Sequence, residues 1–303
     1  MALRPYALLP RQYDERKVLA STVDAWGRTL WLICPDARFP SREFGRAVPA
    51  PLSMPFDALL VISDGGRFRE RILHGVAVDP TTLDALPYGG IVLHGHGRPG
   101  ERNGQVFDRS GRPVRRFALG HRLLHLQADR RGNFWTGYAD EGIYSDDPVS
   151  AQALVRWDSR GNTLEDLRPA ELYRMVAGIN ALNVTDSVAW AAYWPGSPLA
   201  QKRAGEPWRI RTLPVTDPYA IAIRDEYLLL LGGHERGADA SGRRGLHLCR
   251  LTGDGAVIVE RSQLTWPNGD PVNRYPRPVC RGPHLYLRSR RTTRQWYVLT
   301  VPG

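Results

Sequence analysis

Three short segments combine imidazole and carboxylate groups: His94-Gly-His96, Asp140-Glu141 and His234-Glu235. Each stands just past an apolar run, Ile91-Val-Leu, Phe134-Trp-Thr-Gly-Tyr and Tyr227-Leu-Leu, so all three fall at strand ends. Imidazole and carboxylate together can hold zinc or manganese, or supply an acid and a base. On that reading a divalent metal is the cofactor, with His96, Glu141 and His234 as its ligands. Glu141 and His234 are then the catalytic pair, and His94, Asp140 and Glu235 bind the ligand beside them. The competing reading leaves these side chains solvated, with the carboxylates accepting backbone amides or pairing with arginines.

Arginines 288, 290, 291 and 294 form the densest basic cluster. Guanidinium matches carboxylate and phosphate geometry, so Arg288, Arg290 and Arg291 are candidate contacts for an anionic ligand; a solvated hairpin tip is the alternative. Asn180 and Asn183 are spaced by three ahead of a turn at Thr185-Asp-Ser. Asn180 is either a ligand contact or a partner for neighbouring backbone. Gly95-His-Gly-Arg-Pro-Gly100 fits G-x-G-x-x-G, but the following Glu101-Arg-Asn-Gly-Gln-Val leads into a strand. A dinucleotide site needs a helix there, so the segment reads as a loop. No G-x-S-x-G, H-E-x-x-H, phosphate-loop or C-x-x-C pattern occurs.

These candidates must be held by a sheet protein. Apolar runs of Val, Ile, Leu, Tyr and Trp recur about every 8 to 12 residues, separated by Gly and Asp turns. One class of turn leads into an aromatic strand: Asp24-Ala-Trp-Gly-Arg before Thr29-Leu-Trp, and Asp129-Arg-Arg-Gly-Asn before Phe134-Trp-Thr. Looser copies stand at Leu86-Pro-Tyr-Gly-Gly, Thr185-Asp-Ser, Arg224-Asp-Glu and Arg281-Gly-Pro. A second class follows downstream, at Ser63-Asp-Gly-Gly-Arg, Asp108-Arg-Ser-Gly-Arg, Asp158-Ser-Arg-Gly-Asn and Thr252-Gly-Asp-Gly-Ala. The unit is a four-stranded meander of roughly 40 to 60 residues, and radial repetition of such a unit makes a β-propeller.

The pattern therefore predicts an all-β, six-bladed β-propeller of four-stranded antiparallel blades, occupying residues 1–303 as one domain. The last unit has three strands, and Arg4-Pro-Tyr-Ala-Leu-Leu can supply the fourth, closing the ring and removing an open edge. One short helix is expected near 169–177, where Leu172, Met175 and Val176 share a face and Gly178 follows. Gly132-Asn-Phe-Trp-Thr-Gly-Tyr138 resembles the glycine- and tryptophan-bearing strand of propeller repeats in the NHL and gluconolactonase groups. That resemblance implies the fold. It also implies, for gluconolactonase-like relatives, an axial divalent metal on carboxylate and Asn side chains, a set that no residues here match one by one.

The chain carries 41 basic and 31 acidic residues for a net charge of +10, and all but Lys17 and Lys202 of the basic ones are arginines. They are spread over nearly every segment, whereas a nucleic-acid footprint gathers them on one face, so nucleic acid is not the expected partner. Three cysteines far apart, no apolar run near the roughly 18 residues of a membrane span, and a charged start predict a reduced, cytoplasmic protein without membrane association. The leading functional expectation is a non-catalytic propeller that binds a small polar or anionic molecule, or a protein partner, on the face bearing its long loops. The alternative is a metal-dependent hydrolase or lactonase on that same face.

Overall fold

The computed structural model of the chain describes residues 1–34, 54–166, 176–235, 245–272, 278–288 and 293–303. It opens with strand β1 (Arg4–Leu8) and continues as β2 (Val18–Val23), β3 (Thr29–Ile33), β4 (Phe56–Asp64) and β5 (Arg67–Val76). The next sheet is β6 (Asp79–Ala85), β7 (Ile91–His96), β8 (Gly104–Phe107) and β9 (Pro113–Phe117). A third holds β10 (Leu123–Ala128), β11 (Phe134–Tyr138), β12 (Leu154–Trp157) and β13 (Thr163–Asp166), with the short helix α1 (Asp140–Ile143) between β11 and β12. Then come β14 (Gly178–Val184), β15 (Val188–Trp194), β16 (Pro198–Arg203) and β17 (Arg209–Thr212).

The pair β18 (Val215–Thr216) and β21 (His234–Glu235) frames a further meander of β19 (Ala220–Arg224), β20 (Tyr227–Leu231), β22 (Gly245–Leu251) and β23 (Ala256–Gln263). The chain ends with β24 (Val279–Arg281), β25 (His284–Arg288) and β26 (Gln295–Thr300). Strand β1 pairs antiparallel with β26, Arg4 facing Val298 and Leu8 facing Gln295. The run β1-β26-β25-β24 joins β14–β17 through one parallel pair, Asn183 with Cys280, making an eight-stranded sheet. Among the described residues no sheet closes on itself. The first strands neighbour one another in succession, β2 with β6, β6 with β10, β10 with β14, β14 with β19 and β19 with β24. Meanders set side by side by their first strands form a β-propeller.

Strand burial follows from this arrangement. Strands β3 and β11 are buried at every position, because both faces of each sheet pack against a neighbour. The outer strands β5 and β23 are largely exposed. Apolar clusters therefore run between meanders: Leu30, Leu60 and Leu73 pack with Leu83, Leu93 and Phe107. Leu9, Tyr13 and Trp31 likewise pack with Tyr286 and Trp296.

The aspartate turns are built as their spelling implies. In Asp24, Asp108, Asp129 and Asp158 one carboxylate oxygen accepts the amides two and four residues on, at 2.8–2.9 Å. The fourth residue is always glycine, with φ of 77°, 77°, 96° and 78° at Gly27, Gly111, Gly132 and Gly161. The expected helix lies at 169–175 outside the described residues, while Val176 and Ala177 are buried and not helical. The three cysteines are free and buried.

Candidate functional site

The strand order divides the molecule into two faces. Turns joining first to second and third to fourth strands lie on one; the longer second-to-third links and the connections between meanders lie on the other. The residues expected to act together belong to the long-loop face, and each has its own local role. His94 is buried; its Nδ1 stands 2.8 Å from Thr81 Oγ1 and its Nε2 3.3 Å from the Asn103 amide. His96, two residues on, is exposed. Asp140 and Glu141 begin α1, both exposed, with Asp140 accepting the Glu141 amide at 3.0 Å.

His234 and Glu235 form β21 against Val215-Thr216. Glu235 is clamped by Arg261 through two bonds of 2.6 and 2.9 Å, with His247 at 3.7 Å; that clamp holds its carboxyl below the usual range. Asn180 donates to Asp217 at 3.4 Å. Arg288 donates to Ser21 Oγ at 2.7 Å and lies over Trp296; burial lowers its pKa to about 10. Arg290 and Arg291 lie outside the described residues. Among the described residues no three His, Cys, Asp or Glu side chains gather as a metal site would require, so His96, Glu141 and His234 do not come together.

The larger of the two described concavities opens on the opposite face, at the inner ends of the meanders, with a volume of about 640 Å³. Turns from four meanders and the start of β1 converge there. Its floor is Arg281, only 7% exposed, whose Nε donates to Val23 O at 3.1 Å and whose second nitrogen donates to Ala128 O at 2.8 Å. The third guanidinium nitrogen bonds the fully buried Asp84, which also accepts the Ala128 amide at 2.7 Å. Related side chains tie first strands together nearby. Gln127 bonds the backbone of Leu182 and Val184, and Asn183 bonds Ile221 and Gly282.

Each carboxylate of this recess is matched. Asp24 takes Arg28 at 2.8 Å and Asp186 accepts the Arg130 amide at 2.9 Å, while the buried Asp84, outside the lining, takes Arg281. Arg130 in turn reaches Ala25 O across the recess at 3.0 Å. Arg4, at the rim, forms no ion pair among the described residues; nor does Arg224, close by. Both act on His284, whose pKa is lowered by burial first and then by Arg224 and Arg4. Its Nδ1 lies 3.0 Å from Thr300 Oγ1. Tyr6 and Tyr286 form an aromatic wall with ring centroids 4.8 Å apart, and burial raises both phenol pKa values. Arg4 and His284 line one side of the recess, and neither forms an ion pair among the described residues.

No family model and no curated protein matches the chain. Among solved structures it is similar to virginiamycin B lyase from Staphylococcus aureus, at 14% identity over 97% of this chain and 98% of that one, TM-score 0.49. It is also similar to the WD40 β-propeller domain of Doa1, at 10% identity over 99% and 97%, TM-score 0.41. The propeller domain of Swd1 from Myceliophteria thermophila is similar at 8% identity over 94% and 84%, TM-score 0.48.

Proposed function

We propose that the protein is a six-bladed propeller, its ring joined by the pairing of β1 with β26, that binds a small anionic molecule in the turn-face recess without transforming it. The observation that supports this reading is the side of the recess that carries Arg4 and the half-buried His284, neither in an ion pair among the described residues, while the lining carboxylates Asp24 and Asp186 are already matched. A guanidinium group in no ion pair, next to a wall of two tyrosines, forms a receptor for a carboxylate, sulfate or phosphate group. Binding rather than turnover is supported by the other groups present. Neither phenol ionises near neutrality, Asp24 is engaged in an ion pair, and the basic His284 is already hydrogen-bonded to Thr300 Oγ1 at 3.0 Å.

Sulfate, whose charge is constant between pH 5 and 8, is the probe of choice. Calorimetric titration at low ionic strength is expected to give saturable binding that weakens about tenfold or more in Arg4→Ala and is largely kept in Arg4→Lys. His284 is held neutral by burial and by the two arginines, and a bound anion raises its pKa. Sulfate affinity therefore rises as pH falls from 7 towards 5.5, and His284→Gln removes that slope. Absence of binding, or binding indifferent to Arg4→Ala, would overturn the proposal.

A further inference from the structure

A second cleft, of about 330 Å³, lies between the β14–β17 meander and the β19–β23 meander and does not touch the recess. One wall carries Arg203, Arg209 and Arg211, from β16 and β17; the other carries Asp225 and Glu226, from the turn joining β19 to β20. Arg211 is the unusual member. It is 7% exposed, lies 5.5 Å over the Trp190 ring, and donates to Gln201 Oε1 at 2.7 Å, while its buried Nε has no partner.

Burial, then the like charges of Arg209 and Arg203, hold the Arg211 pKa below its usual value, with Asp254 acting in the opposite direction. It forms no ion pair among the described residues. A guanidinium desolvated to this degree without a carboxylate is a cost to the fold, and an apolar residue of similar length would avoid it. Across the cleft, Asp225 and Glu226 form no ion pair among the described residues, and neither is among the groups acting on Arg211. Arg203 alone has an acidic partner, Glu206 at 4.0 Å. The cleft thus has one wall with three arginines, of which only Arg203 is offset by a lining carboxylate, Glu206, and another with Asp225 and Glu226, in no ion pair among the described residues; Trp190 and Leu251 complete the lining.

From this polarity we infer that the cleft binds a small zwitterion, an amino acid in the broad sense, its carboxylate on Arg211 and Arg209 and its ammonium group on Asp225 and Glu226. Two opposite charges placed on one short ligand satisfy both walls at once, which neither a simple anion nor a simple amine can do. The site is independent of the anion recess, and either can fail without the other.

The probes are the ω-amino acids from glycine to 6-aminohexanoate, with hexanoate and hexylamine as half-ligands, titrated calorimetrically at low salt. One member of the series is expected to bind about tenfold or more tightly than either half-ligand. Arg211→Met abolishes that binding while leaving the melting temperature equal or higher, since it removes an unpaired buried charge and keeps the contact with Trp190. Asp225→Asn with Glu226→Gln, on an exposed turn where Asn tolerates the φ of +52° at position 225, lowers the zwitterion to the level of hexanoate. This double variant carries the test should Arg211→Met fail to fold. Arg4→Ala leaves this binding unchanged. Equal binding of hexanoate, equal binding of hexylamine, no binding by any member, or binding indifferent to Arg211→Met and the double variant would each overturn the assignment.

Discussion

Asp84 and Arg281 place a charge pair at the inner ends of the meanders, and burial rather than pairing dominates the carboxyl. Its pKa is pushed up to about 6 in spite of Arg281 and the Ala128 amide, against about 3.9 in an unfolded chain. The folded state then holds the proton more tightly than the unfolded one. Stability from this group is fully present below about pH 4 and is lost as pH rises through about 6, by about 3 kcal/mol in all. Asn titrates at neither pH, so the stability gap between the native protein and Asp84→Asn should narrow by about that amount between pH 4 and 7 in urea unfolding. A gap that is flat or widens across that range would contradict the burial argument. Little of this was legible in the sequence. Asp84 and Arg281 are 197 positions apart, and neither stands in a motif; only their place at the end of a first strand marks them. The imidazole and carboxylate pairs were legible as residues but not as a site. His94 became a buried hydrogen-bonding group and Glu235 an arginine partner, because local backbone and arginines reach them before any shared ligand could.

At the scale of elements, the aspartate turns were the most informative signal. The Asp-x-x-Gly spelling records a carboxylate that caps two amides and a fourth residue at positive φ, both local requirements that short sequence can state. Strand β1 was legible for a different reason: the last meander ran one strand short, and an unpaired edge is a liability. Its anchors are Leu3 and Leu9, each 1% exposed, on either side of the backbone pairing with β26. Removing residues 1–9 should expose the β26 edge and those two apolar pockets. The expected outcome is a lower melting temperature and self-association in size-exclusion chromatography, reversed by adding a peptide of residues 1–9. A truncated protein that stays monomeric with an unchanged melting temperature would show that β1 does not close the sheet.

At the scale of the whole molecule, the propeller was readable because radial repetition writes the same turn many times, whereas the turn-face recess was not. Long loops drew attention to one face, but the recess lies on the other, where Arg4 of β1 meets Arg130, Arg281 and His284 at copies of the recurring first-to-second-strand turn. What distinguishes those residues is convergence, a property of the assembled meanders rather than of any segment. Dispersed arginine looked uninformative in the sequence for the same reason: some of these arginines meet a carboxylate or a carbonyl and others do not, and the two kinds can be told apart only by accounting for partners in three dimensions. The central claim is that Arg4 and His284 form the anion-binding side of this recess. A crystal structure of the protein soaked with tungstate, a heavy stand-in for sulfate, tests it most directly through the anomalous signal. The account predicts a peak in contact with the Arg4 guanidinium and the His284 ring, and its loss in Arg4→Ala crystals; peaks confined to other surfaces, with the recess free of tungstate, would contradict it.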